Sequence, residues 1–187
     1  MITQIASLLI ETVFSLLVYL LLLRFYMQAF RAPFRNPVGE FVTALTNWAV
    51  RPLRRVVPGL YGIDLSSLVL AWIAEAVKLW LLYLVRVPEG AGPGILLILV
   101  LALVELLRDS LYLLIGVVFI QVILSWVSPY NMLEGVLNAL TRPFYRMFRR
   151  FIPPIGSIDL SPLFVLVLAQ VCLILVAGLQ HAVVRAF

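Results

Sequence analysis

The sequence predicts an all-α membrane protein: four transmembrane helices in two parallel two-helix repeats, each repeat with a cytoplasmic interfacial amphipathic helix. Three observations lead there. The 187 residues have a mean hydropathy of +1.10, with 64% apolar and 12% charged residues. A soluble domain carries roughly 45–50% apolar and about 25% charged residues, so this chain has more apolar surface than water tolerates. Four stretches reach the roughly 20 mostly apolar residues that a bilayer crossing requires. Finally, residues 36–68 align without a gap on residues 131–163, at a constant offset of 95.

The alignment is carried by residues that rarely match by chance. Identical pairs include Asn36/Asn131, Thr46/Thr141, Arg51/Arg146, Arg54/Arg149, Arg55/Arg150, Pro58/Pro153, Asp64/Asp159 and Ser66/Ser161. The chain therefore divides into one repeat over 1–93 and a second over 94–187. The first holds spans at about 2–30 and 66–85 with an arm at 36–57. The second holds spans at about 94–126 and 161–184 with an arm at 131–152.

The first span has no basic residue before it and no small-residue cleavage site, so it reads as a retained span rather than a signal peptide. Pro33 and Pro37 end it, because proline removes a donor and constrains its predecessor. Asn36 is a natural N-cap for the first arm. Within that arm Val38, Phe41, Val42, Leu45, Trp48 and Ala49 recur at helical steps, and Pro52 is placed to kink it. The second span opens at Asp64-Leu65-Ser66, with Ser66 as its cap. The third stretch is longer than a crossing needs, so it protrudes, tilts or breaks near Arg108-Asp109-Ser110. Ser128-Pro129 ends it. The second arm repeats the helical pattern with Leu133, Val136, Leu137, Leu140, Phe144 and Phe148. Ser161-Pro162 then opens the fourth span as a cap followed by proline at the first helical position.

Charge distribution orients the chain. The net charge is +5. Arg31, Arg35, Arg51, Arg54 and Arg55 fall between spans one and two, and Arg142, Arg146, Arg149 and Arg150 between spans three and four. The middle connection holds only Arg86. The positive-inside rule puts both arginine-rich loops in the cytoplasm and both termini outside. The two copies then share one orientation, which makes them parallel repeats. Arginines beside an aromatic apolar face suit the membrane interface and anionic headgroups.

Three readings of Asp64 and Asp159 stand open: helix capping, a salt bridge to an arginine of either copy, and a cation site shared by both aspartates. Glu75 and Lys78 lie about ten residues into span two, near mid-membrane, at i, i+3. They read as a neutralised pair facing the bundle or as a proton or ion relay, since intramembrane charges are functional candidates. Arg24, near the cytoplasmic end of span one, can snorkel or meet either aspartate. Depth counting places Glu11, Glu105, Arg108 and Asp109 near the outer edge, with Glu105 and Arg108 paired at i, i+3. Cys172 reads as a small buried hydrophobe. His181 has no ligand partners nearby in sequence. No glycine-rich phosphate loop, nucleophile elbow or metal-ligand spacing is present. The expectations are no enzyme, no cofactor, no metal and no nucleic-acid partner.

Leu23-Arg24, Asn36-Pro37, Pro52-Leu53-Arg54-Arg55-Val56-Val57-Pro58 and Ile63-Asp64 form one set of motifs. Ser125-Trp126-Val127-Ser128, Arg149-Arg150, Pro153 and Ile158-Asp159-Leu160-Ser161-Pro162 form another. With these motifs the chain resembles the YggT family of bacterial and plastid integral membrane proteins, whose plastid members include the YlmG group. The second copy departs from the pattern: Met147 stands where the first has Pro52, and its Arg-Pro pair is displaced to Arg142-Pro143. The resemblance implies a multi-pass protein of the bacterial inner membrane, linked to osmotic and salt-stress tolerance and ion homeostasis, with no enzymatic activity. The expected function is a scaffold or assembly protein whose arms bind anionic lipid, a membrane partner or a second copy through Arg51, Arg54, Arg55, Arg146, Arg149 and Arg150. The alternative is an ion channel or transporter subunit that uses Asp64, Asp159, Glu75, Lys78 and Arg24.

Overall fold

A computed structural model describes residues 1–57, 64–87, 92–128, 132–150 and 159–187. Among them are six helices and no strand: α1 (Ile2–Ala29), α2 (Pro37–Leu53), α3 (Leu65–Arg86), α4 (Ile95–Val127), α5 (Glu134–Arg149) and α6 (Ser161–Ala186). Helices α1, α3, α4 and α6 are long and apolar enough to cross a bilayer. The repeated Pro58, Asn131 and Pro153, and Pro129 after span three, lie outside the described residues.

Helices α1 and α3 run antiparallel. Glu11 pairs with Arg86 at one end of them, and Arg24 approaches Asp64 at the other. Their interface is tight because α3 presents small residues. Ala71 and Ala74 receive Val18, Leu21 and Leu22 of α1, and Leu106 of α4 closes the cluster. Without a hydrophobic drive between helices in lipid, such close packing supplies the association. Helix α4 packs mainly on α6 and joins the two halves through α3 and α1. The outward faces remain apolar: Leu8, Leu16, Ile174 and Leu175 are all exposed. An apolar surface of that extent calls for lipid rather than water.

Helix α4 is continuous over 33 residues and does not break at Arg108-Asp109-Ser110. Within it Ser110 Oγ donates to the Leu106 carbonyl at 2.7 Å. Helix α4 begins against the middle of α3 rather than its end. Trp72 Nε1 donates to the Leu99 carbonyl at 3.0 Å, and Ala76 packs with Ile98 and Ala102.

Both arms lie at the same end of the bundle. Helix α2 opens as its sequence dictates: Asn36 is the N-cap, its Oδ1 accepting from the Gly39 amide at 2.9 Å. Gly39 is required there, since a Cβ would stand 2.3 Å from the Phe34 carbonyl oxygen. Gly39→Ala is therefore expected to cost about 1–3 kcal/mol by overpacking. The loss should show as faster hydrogen exchange confined to α2; unchanged exchange would mean that the turn relaxes freely. Pro52 sits in the last turn and ends α2 at Leu53, while α5 contains Pro143 and runs on to Arg149.

Both arms bury one equivalent face, and α5 buries a further strip beside it. Helix α2 packs Val42, Thr46 and Val50 inward and leaves Phe41 and Leu45 56% and 40% exposed. At the equivalent positions of α5, Val136 and Leu140 are 3% and 5% exposed. They pack with Met27, Ala32 and Val117, so α5 fills the seam between α1 and α4. Phe144 of α5 meets Phe30 edge to face, with ring centroids 6.0 Å apart.

Candidate functional site: arm anchors and a buried charge cluster

Each arm is tied to the start of the following long helix by an arginine and an aspartate ten residues apart. In the first copy Arg54 forks onto Asp64: Nη2 donates to Oδ2 at 2.5 Å and Nε to Oδ1 at 3.2 Å. Such two-pronged pairs fix geometry as well as charge. Asp64 occupies the N-cap position of α3 and also accepts from Ser67 Oγ at 2.7 Å. Ser66, expected as the cap, instead donates to the Val57 carbonyl at 2.7 Å, which fastens the end of the arm. Arg24 completes the site from α1. Its Nη1 donates to Thr46 Oγ1 at 2.6 Å and to Asn47 Oδ1 at 3.0 Å, and its Nε lies 3.6 Å from Asp64 Oδ2.

In the second copy Arg149 Nε and Nη2 both donate to Asp159 Oδ2, at 3.0 and 2.6 Å. Asp159 Oδ1 accepts from the Ser161 amide at 2.9 Å, so aspartate rather than serine satisfies the start of α6. The Arg149 guanidinium also lies over the Tyr145 ring, 5.7 Å from its centroid. No arginine stands where Arg24 would recur; that position is Phe119. Thr141 donates back to the Leu137 carbonyl. As a result Asp64 is 2% exposed and Asp159 32%.

Both aspartates are held in the ionised form. Burial pushes the Asp64 carboxyl up, but Arg54, Ser67 and Arg24 outweigh it and hold it below the usual carboxylate range. Burial acts on Asp159 in the same sense and is outweighed by Ser161 and Arg149. Tyr145, buried and next to the Asp159 charge, is pushed up to about 12. Each aspartate thus serves its own arm and combines two of the readings open at the sequence level, the salt bridge and the place at the helix start. Arg51, Arg55, Arg146 and Arg150 stay exposed at the arm ends.

A second constellation lies inside the bundle. Glu75 is fully buried, with Lys78 Nζ 2.7 Å from its Oε2 in an ion contact that lacks hydrogen-bond angles. Lys78 also donates to Ser15 Oγ at 3.4 Å. Glu105 pairs with Arg108 and accepts from Gln180 Nε2 at 2.8 Å. Asp109 Oδ1 accepts from the Tyr19 hydroxyl at 3.3 Å. Glu105 and Asp109 are buried within electrostatic reach of Glu75 and Lys78. The reading of these groups as outer-edge residues is thereby corrected. Depth counted along α4 alone ignores that α4 starts against the middle of α3. The Glu105–Arg108 pairing itself was legible from the i, i+3 spacing; the Tyr19 and Gln180 partners left no signal. Among the described residues no group of three His, Cys, Asp or Glu side chains is placed to hold a metal.

A family model described as CCB3/YggT matches residues 3–85 and again 100–180. The chain belongs to the CCB3/YggT family. Among its relatives is a protein of Escherichia coli K12 named "Uncharacterized protein YggT", 35% identical over 164 residues, which span 87% of this chain and 84% of the relative. An uncharacterized protein of Pseudomonas aeruginosa is 36% identical over 157 residues, 83% of this chain and 79% of that one. An uncharacterized protein from the proC 3' region of Vibrio alginolyticus is 36% identical over 177 residues, 94% and 90% of the two chains. No solved structure matches. The two stretches matched by the YggT model each contain one complete arm and its Arg–Asp anchor.

Proposed function

We propose that this YggT-family chain is a non-enzymatic scaffold of the bacterial inner membrane that presents α2 and α5 at the cytoplasmic surface to bind anionic headgroups. The observation that carries the reading is the repeated anchor. Arg54 and Arg149 are engaged by Asp64 and Asp159, which fixes each arm against the bundle. Arg51, Arg55, Arg146 and Arg150 remain exposed beside it. The exposed Phe41, Leu45 and Trp48 give α2 an apolar stripe apart from its buried face, as an interfacial helix requires. Arg54 and Arg149 therefore hold the arms, and the other four arginines face the lipid.

Cavities between α1, α4 and α5, of about 170 and 350 Å³, are lined almost wholly by apolar side chains such as Leu23, Leu113 and Val117. That lining suits packing or acyl chains better than an ion path, which favours the scaffold over a transport subunit. A scaffold of this kind would serve osmotic and salt-stress tolerance by holding membrane partners or lipid in place.

The test is retention of anionic lipid by the purified protein, followed by native mass spectrometry. Near a membrane surface each arginine contributes about 1 kcal/mol, so replacing Arg51, Arg55, Arg146 and Arg150 with glutamine should weaken retention by up to about 10³-fold. Retention of zwitterionic lipid should not change. Equal retention of anionic lipid by the quadruple variant and the parent would sink the scaffold reading in this form.

A further inference from the structure

The buried cluster does not balance. Its anions are Glu75 on α3 and Glu105 and Asp109 on α4; its cations are Lys78 on α3 and Arg108 on α4. Facing them from α1 are Ser15 and Tyr19, and from α6 Gln180, none of which carries charge. Tyr112 on α4 adds none. Two other ionisable groups on the adjoining helices are engaged elsewhere: Glu11 pairs with Arg86 at an exposed site, and His181 is exposed and bonded to the Ala177 carbonyl. Two carboxylates have their own cation, Glu75 with Lys78 and Glu105 with Arg108. Asp109 is the one left over.

The geometry around Asp109 points the same way. It is more than nine-tenths buried, and among the described residues its Oδ1 has a neutral phenol as donor while its Oδ2 has no hydrogen-bond partner. A bare carboxylate oxygen enclosed by helices is costly, and an uncompensated buried charge is costlier still. A proton on Oδ2 removes the costlier defect: the bare carboxylate becomes a neutral acid and the charges of the cluster balance. We propose that Asp109 is a proton-binding site in the interior of the bundle, occupied at neutral pH. This site is separate from the arms and does not depend on what the arms bind.

The test is infrared spectroscopy of the protein in nanodiscs at neutral pH, read at the carbonyl stretch of protonated carboxylic acids. The other described carboxylates are exposed or ion-paired, so one buried acid band is expected, and it should shift in D₂O. Labelling with ¹³C-aspartate should move it, and labelling with ¹³C-glutamate should leave it in place. Asp109→Asn should abolish the band. Glu75→Gln should abolish it too, because Lys78 then becomes available to Asp109. Lys78→Met should roughly double it. The labelling arm needs no variant to fold. Absence of the band in the parent protein, or a band that moves with ¹³C-glutamate and not with ¹³C-aspartate, would overturn the assignment.

Discussion

Asp64→Asn is expected to cost about 3–5 kcal/mol of stability, the penalty for stranding a buried partner charge. Asp159→Asn, at the equivalent position, is expected to cost only about 0–1 kcal/mol, as exposed pairs do. The difference comes from Arg24. It is buried against Thr46 and Asn47, and among the described residues Asp64 is the one carboxylate it meets. Removing Asp64 leaves its guanidinium inside the fold without a counter-charge. Arg149 is 57% exposed and can turn to water when Asp159 is neutralised. Unfolding of the detergent-solubilised protein by SDS, followed by helix content, measures both losses, and equal losses would contradict this account. The pH dependence follows with a definite sign. The folded Asp64 carboxyl lies below its unfolded value of about 3.9, so its contribution is complete above that pH. The contribution is lost as pH falls through the lower, folded value. The stability gap between the parent and Asp64→Asn should therefore be constant at neutral pH and close only in strong acid.

Lys78→Met is the second large effect, also about 3–5 kcal/mol, because it leaves Glu75 buried without a cation. Glu75→Gln should cost clearly less, since Glu105 and Asp109 then face Lys78 and Arg108 in equal number. Replacing both residues, Glu75→Leu with Lys78→Met, removes one charge of each sign and should recover most of the loss, as buried ion pairs often tolerate apolar replacement. A double-mutant cycle in the same unfolding assay measures this. If Glu75→Gln proved as damaging as Lys78→Met, the pair would be isolated from the charges of α4.

Much of this architecture was legible because its determinants are local. The four long helices fall within about two residues of the stretches that hydropathy marks, since length and apolarity alone decide a span. Asn36 caps α2 as its type and place foretold. The Arg54–Asp64 and Arg149–Asp159 pairs were visible as repeated positions, though the sequence could not choose between capping, pairing and a shared cation site. What stayed hidden depends on how helices slide past one another. The burial of Glu105 and Asp109 follows from the contact of Trp72 with Leu99, which no periodicity encodes. Thr46 and Thr141 recur as a matched pair, yet Thr46 meets an arginine and Thr141 does not, because α1 carries Arg24 where α4 has Phe119. The contrast between Phe41 and Val136 likewise arises from neighbours: the seam beside α1 has room for one arm.

Helix α4 spans 33 residues and α3 spans 22, and at about 1.5 Å per residue these are roughly 50 and 33 Å. A hydrocarbon layer of about 30 Å matches α3 and falls well short of α4. The bilayer beside α4 therefore meets a taller apolar wall than the bilayer beside α3, within a single small bundle. Tilting, stretching of nearby acyl chains or protrusion of the Trp126–Val127 end relieves the difference, at fractions of a kcal/mol per Å. Acyl-chain length thus acts on this molecule unevenly, with α4 the first helix to register a thinner or thicker membrane.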